Sequence, residues 1–296
     1  MTRTASTTLL TALLLAALLA GSVVSLRQVQ AERGQETTLE EVLYPPSGKV
    51  LKRASLGYSS LLADVYWTRA IQYFGSRHIA NAAHYDLLYP LLDITTDLDP
   101  HIIVVYEYGS IFLSQKPPEG AGQPEKAVAL VEKGVRENPT YWRLYFTLGF
   151  IYYTDLHDYK AAQQAFEKGS EIPGALPWMK VLAARMAEHG KDVDTAIALW
   201  GAVLDNSKDK DIRNTAISHL DSIRADLDIM ELDRRVNAYH DRTGRYPGEW
   251  ADLIHAGLLQ GVPADPHGDP YKLQLNGVIS VRDPKQFPFL NEWRYQ

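Results

Sequence analysis

Two histidines and one acidic turn carry the side chains whose types and spacing could bind a metal or act on a substrate. His78 and His84 lie six residues apart, a spacing that does not bring two ligands onto one helical face as a spacing of four would. The chain also lacks the His-Glu-x-x-His pattern of zinc proteases. We therefore interpret both histidines as surface residues or as residues packed between helices.

The acidic turn offers two carboxylates, Asp265 and Asp269, together with nearby backbone carbonyl oxygens. A calcium ion in a protein takes about six to eight oxygen ligands, far more than two carboxylates supply. Aspartate is also a common turn residue, because its side chain accepts hydrogen bonds from backbone amides two residues on. We predict a turn capped by aspartate and no metal site; Asp265 and Asp269 remain the residues that would contribute ligands to calcium.

Other catalytic patterns are absent from the sequence. There is no Gly-x-Ser-x-Gly, Walker or dinucleotide-binding pattern, and the absence of cysteine excludes disulfides, thiolate metal sites and a cysteine nucleophile. The formal net charge of −6 disfavours nucleic-acid binding, which normally needs a basic face. We predict a non-enzymatic protein without cofactors, with an envelope hydrolase of dispersed catalytic residues as a disfavoured alternative.

The stretch from Tyr145 to Pro173 indicates how any functional side chains are positioned. Large and small residues recur at helical spacing, with Gly149 in a first helix and Ala162, Phe166 and Gly169 in a second. Two such short helices cannot bury their apolar faces alone. They need neighbouring helices of the same kind.

Related spacing recurs along the chain, with Ala127, Val131, Gly134 and Pro139 before this stretch and Ala196, Trp200 and Val203 after it. This order of large and small residues resembles the tetratricopeptide repeat, a helix pair of about 34 residues. The resemblance covers about four repeats, from near Tyr58 to near Lys208. It implies a mainly α fold, with a helical array in residues 58–236 that is closed by a longer capping helix from Asp209 onward.

Two irregularities are expected within the array. The first repeat pairs a helix from Tyr58 to Phe74 with a second helix that ends at Asp99, and Pro90 should kink this second helix. The second repeat carries an insertion from Lys116 to Pro124 between its helices, and insertions of this kind mark loops on one face of an array.

The capping helix should turn the apolar residues Ile212, Ala216, Leu220, Ile223, Leu227 and Met230 toward the array and the charged residues Asp221, Arg224, Asp226 and Asp228 outward. Residues 237–296 change in character and predict a small α+β unit. It contains a helix from Trp250 to Leu259, ended by Gly261, and a hairpin around Asn276-Gly277.

The pattern TGRYP, a leucine-rich helix and VPADPHGDPY, within residues 239 to 281, resembles the C-terminal part of type II secretion pseudopilins. The resemblance implies an alternative function, a structural or assembly component of a secretion or pilus-like system. It also implies calcium near Asp265, since some of those proteins bind calcium at this loop.

The N-terminal 31 residues predict export from the cytoplasm. From Thr4 to Leu26 no residue is charged, which fits either a cleaved signal peptide or an uncleaved anchor, and we favour the anchor slightly because Arg27 follows the apolar run. A buried helix of the globular domain is the third, disfavoured interpretation. Residues 32–57 predict a linker, in which Lys49, Lys52 and Arg53 are interpreted as solvated rather than bound to lipid headgroups.

In a tetratricopeptide-like array the first helix of each pair lines the concave side. Helical spacing from Gly109, Gly149 and Ala184 places Tyr106, Ser110, Arg143, Phe146, Phe150, Tyr153, Trp178, Val181 and Arg185 on or near that side. Aromatic residues and arginine dominate interface hot spots, although the same rings could fill seams between helices. We predict an exported scaffold, membrane-anchored or periplasmic, whose concave face binds a peptide or a subunit of an envelope complex.

Overall fold

The structure, a computed structural model, describes residues 19–21, 23–25 and 47–290, and the chain divides into two compact units, residues 1–57 and 58–296. In the first unit residues 19–21 and 23–25 are helical, and a short helix α1 (Gly48–Ala54) carries Lys49, Lys52 and Arg53, all exposed. Most of the predicted export segment and linker lies outside the described residues. Within the described ranges no helix has the length and apolar character needed to cross a membrane.

The second unit is mainly helical, which confirms the predicted fold class at this level. Its helices are α2 (Ser59–Ile79), α3 (Leu88–Leu98), α4 (Ile103–Ser114), α5 (Pro124–Glu137), α6 (Trp142–Thr154), α7 (Tyr159–Ser170), α8 (Trp178–His189), α9 (Val193–Asn206) and α10 (Lys210–Thr243). Each helix packs mainly against its neighbours in sequence. The first helices of successive pairs also touch, since α4 contacts α6 and Phe112 of α4 stacks 4.2 Å from Phe74 of α2.

Side-chain caps begin several of these helices. Asp158 accepts a hydrogen bond from the Ala161 amide at the start of α7, and Asp192 accepts one from Thr195 at the start of α9. These bonds satisfy amides that have no acceptor inside the helix, and each such cap stabilises a helix by about 1 kcal/mol.

Pro90 does not interrupt α3 as predicted. The helix begins at Leu88, so Pro90 occupies its first turn, where an amide would have no partner within the helix in any case. The predicted kink is therefore wrong. The preceding helix is also longer than predicted, since α2 continues past Phe74 to Ile79.

Glycines mark the closest approaches between paired helices. A Cβ atom at Gly149 would lie 2.6 Å from the ring of Phe166, and one at Gly134 would lie 2.7 Å from the ring of Tyr106. Both distances are shorter than van der Waals contact, so a larger residue would push the helices apart or displace a buried ring.

The insertion between α4 and α5 is folded back onto its own repeat and onto the preceding one. The Ala121 and Gln123 amides donate to carbonyls of α4, and the carbonyl of Pro118 accepts a 2.7 Å hydrogen bond from the Tyr85 hydroxyl. His78 Nδ1 lies 2.8 Å from the same carbonyl. The insertion therefore joins the first two repeats.

The helix α10 is 34 residues long and supports two clusters of buried side chains. Ala216 and Ile223 pack with residues of α8 and α9, whereas Ile229, Leu232, Val236 and Tyr239 pack with the C-terminal residues. Two predictions for this helix are wrong: Asp226 is fully buried instead of facing solvent, and Met230 is exposed instead of facing the array. Position 237, at which we predict the C-terminal unit to begin, lies inside this continuous helix.

The C-terminal residues contain α11 (Trp250–His255), strands β1 (Lys272–Leu273) and β2 (Ile279–Ser280), and a 3₁₀ helix over Pro284–Gln286. The predicted hairpin is present: β1 and β2 are antiparallel, and Gly277 in the turn has a positive φ of 82°. The preceding helix does not reach Leu259 as predicted. It ends before Gly257, which adopts a left-handed φ of 68° that favours glycine.

The C-terminal residues pack against the second half of α10 through Trp250, Leu253, Tyr271, Ile279, Val281 and Phe287. The Trp250 indole donates a hydrogen bond to the Tyr271 carbonyl, and the Tyr271 hydroxyl donates one to Asp228 on α10 at 3.1 Å. Burial raises the pKa of the Asp228 carboxyl, while this hydrogen bond and the charge of Arg224 oppose the rise.

The raised pKa of Asp228 predicts a pH-dependent effect of the Asp228→Asn substitution. In the wild-type protein, stability falls as pH rises from about 3.9, the usual unfolded value, through the raised folded pKa, because the folded state must release its proton. Asparagine has no charge to desolvate. We expect the melting temperature of the variant relative to the wild type to be higher at pH 7 than at pH 3.5, as measured by circular dichroism.

The matched control is Asp205→Asn, at an exposed position of α9. This substitution should change the melting temperature by a similar small amount at both pH values. An Asp228→Asn difference that is the same at pH 3.5 and pH 7 would contradict the assignment of a raised pKa.

Candidate partner-binding surface

Tyr106 and Ser110 do not belong to an accessible surface, which corrects the prediction for these two residues. Both are fully buried. The Tyr106 ring covers Gly134 of α5 and its hydroxyl donates to the Pro100 carbonyl, while the Ser110 hydroxyl donates to the Glu107 carbonyl. Their contacts are made inside the second repeat, so neither side chain can meet a partner.

Three of the other predicted residues, Phe146, Phe150 and Trp178, come together where α6 meets α8. The Phe146 ring lies 4.6 Å from Phe150 and 5.2 Å from Trp178, and Trp142 lies 6.4 Å from Phe146, measured between ring centroids. We call Trp142, Phe146, Phe150 and Trp178 the aromatic ladder. It spans two first helices of neighbouring repeats.

The ladder is both a packing element and a surface. Phe146 and Phe150 are half-buried, and Phe150 packs edge-on against the fully buried Phe166 of α7, 5.5 Å away. Trp178 is 37% exposed. The rings therefore fill the seam between α6 and α8 and still present an apolar edge to solvent.

Tyr153 stands at the far end of α6, apart from the ladder. It stacks 6.1 Å from His189 and lies 6.2 Å from Tyr159. Val181, the remaining predicted residue, is partly buried against the cluster formed by α8, α9 and α10. Tyr153 and Val181 therefore belong to the packed residues around the surface and not to its exposed part.

Two exposed arginines border the aromatic ladder. Helical spacing places Arg143 on the same stripe of α6 as Phe150, and Arg185 on the same stripe of α8 as Trp178, seven residues apart in each case. Among the residues that the structure describes, no carboxylate lies in ion-pair contact with Arg143 or Arg185. The Arg143 guanidinium instead lies 5.4 Å from the Trp142 ring centroid, a cation–π arrangement.

Lys133 shows the opposite arrangement on the second helices. Its ammonium group contacts Asp93 at 2.7 Å and Asp97 at 2.5 Å, joining α5 to α3. Lys133 therefore holds two helices together, whereas Arg143 and Arg185 remain accessible.

The positive charge of Arg143 also reaches α4. Burial raises the pKa of Glu107 on α4, while the charge of Arg143 and a hydrogen bond with Tyr141 counteract the rise. Glu107 is half-buried beside these two residues. The exposed face of α4 therefore lies next to Arg143, at the Trp142 end of the aromatic ladder.

The exposed residues of α4 were not predicted from the sequence. Val104, Tyr108 and Ile111 are 39%, 53% and 40% exposed and recur at i, i+4 and i+7 on one stripe. The sequence feature that could have revealed these residues is Gly134. A glycine in the second helix of a pair leaves room for an aromatic ring from the first helix. Tyr106 therefore turns inward, and Val104, Tyr108 and Ile111 turn outward.

A buried histidine and glutamate form a second polar group that the sequence did not reveal. Nδ1 of His219 on α10 lies 2.9 Å from a carboxyl oxygen of Glu188 on α8, within hydrogen-bond distance, and both side chains are 2% exposed. The imidazole is stacked between Trp200, at 4.0 Å, and Phe289, at 3.5 Å. With no exposed face, this pair fits a structural role better than contact with a substrate.

The acidic turn has the geometry of a capped turn. One Asp265 oxygen accepts hydrogen bonds from the amides of His267 and Asp269, and Asp269 lies 3.8 Å from Arg282. In the described parts of the chain, no group of three His, Asp or Glu side chains is placed to hold a metal ion.

The comparisons with known proteins add no relative to this description. No protein-family model matches the chain, and no curated protein matches it significantly.

Proposed function

We propose that this protein is a non-enzymatic interaction scaffold, built on a tetratricopeptide-like array, which binds an acidic, extended peptide segment across α6 and α8. The observation that supports this proposal is the exposure of Arg143 on α6 and of Arg185 on α8, the two helices that carry the aromatic ladder, with no carboxylate of the described residues in ion-pair contact with either. The residues required to recognise a carboxylate and an apolar side chain are thereby available on one surface.

The chemistry of the two side-chain types favours a peptide ligand. Arginine presents a rigid fork of N–H donors that matches a carboxylate, and a hydrogen bond to a charged group contributes about 1.5–3 kcal/mol. Half-buried aromatic rings provide contact area at a low cost in conformational entropy. The chain as a whole carries a net charge of −6, so the exposed guanidinium groups of Arg143 and Arg185 are a local attraction for acidic partners, which Glu107 reduces at Arg143.

We further propose that residues 1–31 export the protein and anchor it to a membrane, so that the array faces the periplasm or the extracellular side. The uncharged run from Thr4 to Leu26 supports this location. The partner would then be a subunit of an envelope complex.

A role as a structural component of a secretion or pilus-like system is the second candidate. The observation that favours it is the antiparallel hairpin of β1 and β2, which follows the acidic turn as the resemblance to pseudopilins implies. Such a component would also be non-enzymatic, and it would require the C-terminal residues, rather than α6 and α8, for association with its complex.

The arginines provide the direct test. We expect the combined Arg143→Met and Arg185→Met substitution to weaken binding of an acidic partner by at least about tenfold, because each lost charged hydrogen bond costs 1.5 kcal/mol or more. Partners would be captured from solubilised membranes with the full-length chain and identified by mass spectrometry. Dissociation constants would then be measured for the acidic segment of the captured protein as a synthetic peptide.

The control is the combined Arg136→Met and Arg242→Met substitution, which removes two exposed arginines on α5 and α10. It changes the net charge by the same amount at positions outside the proposed surface. Equal loss of binding in both variants would show a general charge effect and would refute the surface. Capture that depends on residues 244–290 but not on either arginine would favour the secretion component.

A further inference from the structure

The short helix α1 and the turn that follows it combine positive charge with exposed apolar side chains. We call residues 48–57 the basic segment. Val50 is 52% exposed and Leu56 is 87% exposed. No carboxylate of the described residues is in ion-pair contact with the three exposed cations of this segment, which are Lys49, Lys52 and Arg53. The sequence alone favours solvated cations here, but it does not reveal that two large apolar side chains are exposed beside them.

The basic segment differs in charge from the rest of the chain. It contains three cations and no acid, a net charge of +3, and the first acid after it is Asp64. Because the whole chain has a net charge of −6, the residues outside the segment carry −9. An anionic surface therefore attracts the basic segment and repels the remainder of the chain, so charge complementarity selects this part of the protein for contact.

Leu56 has a conformation and an exposure that are both unfavourable in water. Its φ of 50° lies in the left-handed region, where the Cβ atom of an L residue is crowded. Its side chain would gain free energy by entering the acyl region of a bilayer. Lysine and arginine suit the same boundary, because their stems can lie on apolar surface while their charged groups stay at the headgroups. Tyr58, which follows the segment, is 70% exposed, and tyrosine is enriched where membranes meet water.

The place of the basic segment in the sequence keeps it near the proposed membrane anchor. The uncharged run ends at Leu26, 23 residues before Lys49, so the chain between them spans at most about 80 Å when extended. A segment tethered at this distance meets the membrane surface at an effective concentration on the order of millimolar. A contact that would be weak for a free protein is therefore sufficient here.

We propose that the basic segment lies on the surface of an anionic bilayer, with its three cations at the lipid phosphates and Leu56 among the acyl chains. This inference rests on the membrane location in the proposed function and adds to it a second contact, which determines the part of the protein that faces the lipid. Each cation near an anionic surface favours contact about fivefold, so three cations together favour it about a hundredfold.

A single label tests this contact, because the chain contains no cysteine. Ala54→Cys, at an exposed position of α1, is labelled with the fluorophore NBD, whose emission rises in apolar surroundings. The full-length protein is reconstituted into vesicles of phosphatidylcholine alone or of phosphatidylcholine and phosphatidylglycerol in equal amounts. We expect the emission to rise on the anionic vesicles only and to fall as salt is added, since salt screens the attraction. The same label at Ala202→Cys, an exposed position of α9, should report water on both kinds of vesicle.

Charge variants assign the contact to the cations. The triple variant combines Lys49→Gln, Lys52→Gln and Arg53→Gln. It should lower the equilibrium constant for contact by about a hundredfold, so that the label at position 54 reports water. The control removes three exposed cations elsewhere, through Lys208→Gln, Lys210→Gln and Lys285→Gln. This control should keep the emission of the wild type.

Apolar variants test the insertion of side chains. Val50→Ser with Leu56→Ser should weaken the contact and lower the emission on anionic vesicles. The control is Val278→Ser with Leu275→Ser, which changes the same residue types at matching exposures of 46% and 84% in the hairpin. This control should leave the emission unchanged.

The outcomes separate this inference from the location on which it rests. If the full-length chain floats with both kinds of vesicle while the label at position 54 stays in water, the contact is overturned and the anchor stands. A rise in emission that the triple variant retains, or that is equal on phosphatidylcholine alone, would also overturn the contact. If the chain floats with neither kind of vesicle, both the contact and the anchor are refuted.

Discussion

Replacement of His219 by alanine is expected to lower the free energy of unfolding by about 3–5 kcal/mol, because it removes a buried hydrogen bond and a buried ring at the same time. The substitution leaves the Glu188 carboxyl buried without its hydrogen bond. It also opens a space between Trp200 and Phe289, whose rings both stack on the imidazole. Urea denaturation followed by circular dichroism would measure the loss.

Two variants test the reason for this loss. Glu188→Gln keeps an oxygen acceptor at the same position, so it should cost about 1 kcal/mol, the net value of an ordinary hydrogen bond. His255→Ala removes an exposed imidazole at the end of α11 and should be close to neutral. A cost below about 1 kcal/mol for His219→Ala would mean that the pair and the ring stack contribute little to stability.

Truncation after Thr243 is expected to destabilise the array that remains, even though all nine helices from α2 to α10 are retained. The deletion exposes Ile229, Leu232 and Val236 on α10 by removing the side chains that cover them. Burial of one large apolar side chain contributes about 1.5–3 kcal/mol, and three of those removed are Trp250, Tyr271 and Phe287. We expect the melting temperature to fall by about 10 °C or more.

The control for the truncation changes the same region without removing buried contacts. Leu275→Ser and Val278→Ser alter two exposed residues of the hairpin, so they should leave the melting temperature within about 2 °C of the wild type. A melting curve unchanged by truncation would show that the C-terminal residues do not stabilise α10. Phe287 lies in the buried cluster that covers the second half of α10, and Phe289 stacks on His219 of the same helix.

The helix pairs were predictable because their spacing carries the information. Ala127, Val131 and Gly134 recur at intervals of four and three, and all three are buried in the structure. Such intervals place side chains on one face of a helix whatever the surrounding fold. Gly149 was also a reliable guide, since its lack of a side chain is what allows Phe166 to pack against its helix.

The direction in which each first helix faces was less predictable. Helical spacing from Gly109 predicts Tyr106 and Ser110 on the surface, where the structure does not place them. The contact between Tyr106 and Gly134 determines which side of α4 faces α5. This contact joins two helices, so the spacing of residues within α4 does not indicate it. The predicted residues of α6 and α8 therefore keep some exposure to solvent, whereas Tyr106 and Ser110 of α4 are buried.

Long-range polar contacts were not predictable at all. Glu188 and His219 are 31 residues apart, and nothing in the spacing of either residue indicates that they meet. Pro90 shows the related difficulty with helix ends: its effect depends on whether the helix begins two residues earlier or much earlier, which local sequence does not determine.

Because α10 is long enough to belong to two buried clusters, we expect the second unit to unfold from one end only. A repeat array normally opens from either end, because each repeat contacts only its neighbours. Here the C-terminal end cannot open alone, since α10 belongs to the last helical cluster and to the cluster beneath the hairpin at the same time. At the other end α2 exposes Leu61 and Val65. Amide hydrogen exchange should therefore begin in α2 and spread toward α8, so that opening proceeds from one end of the array only.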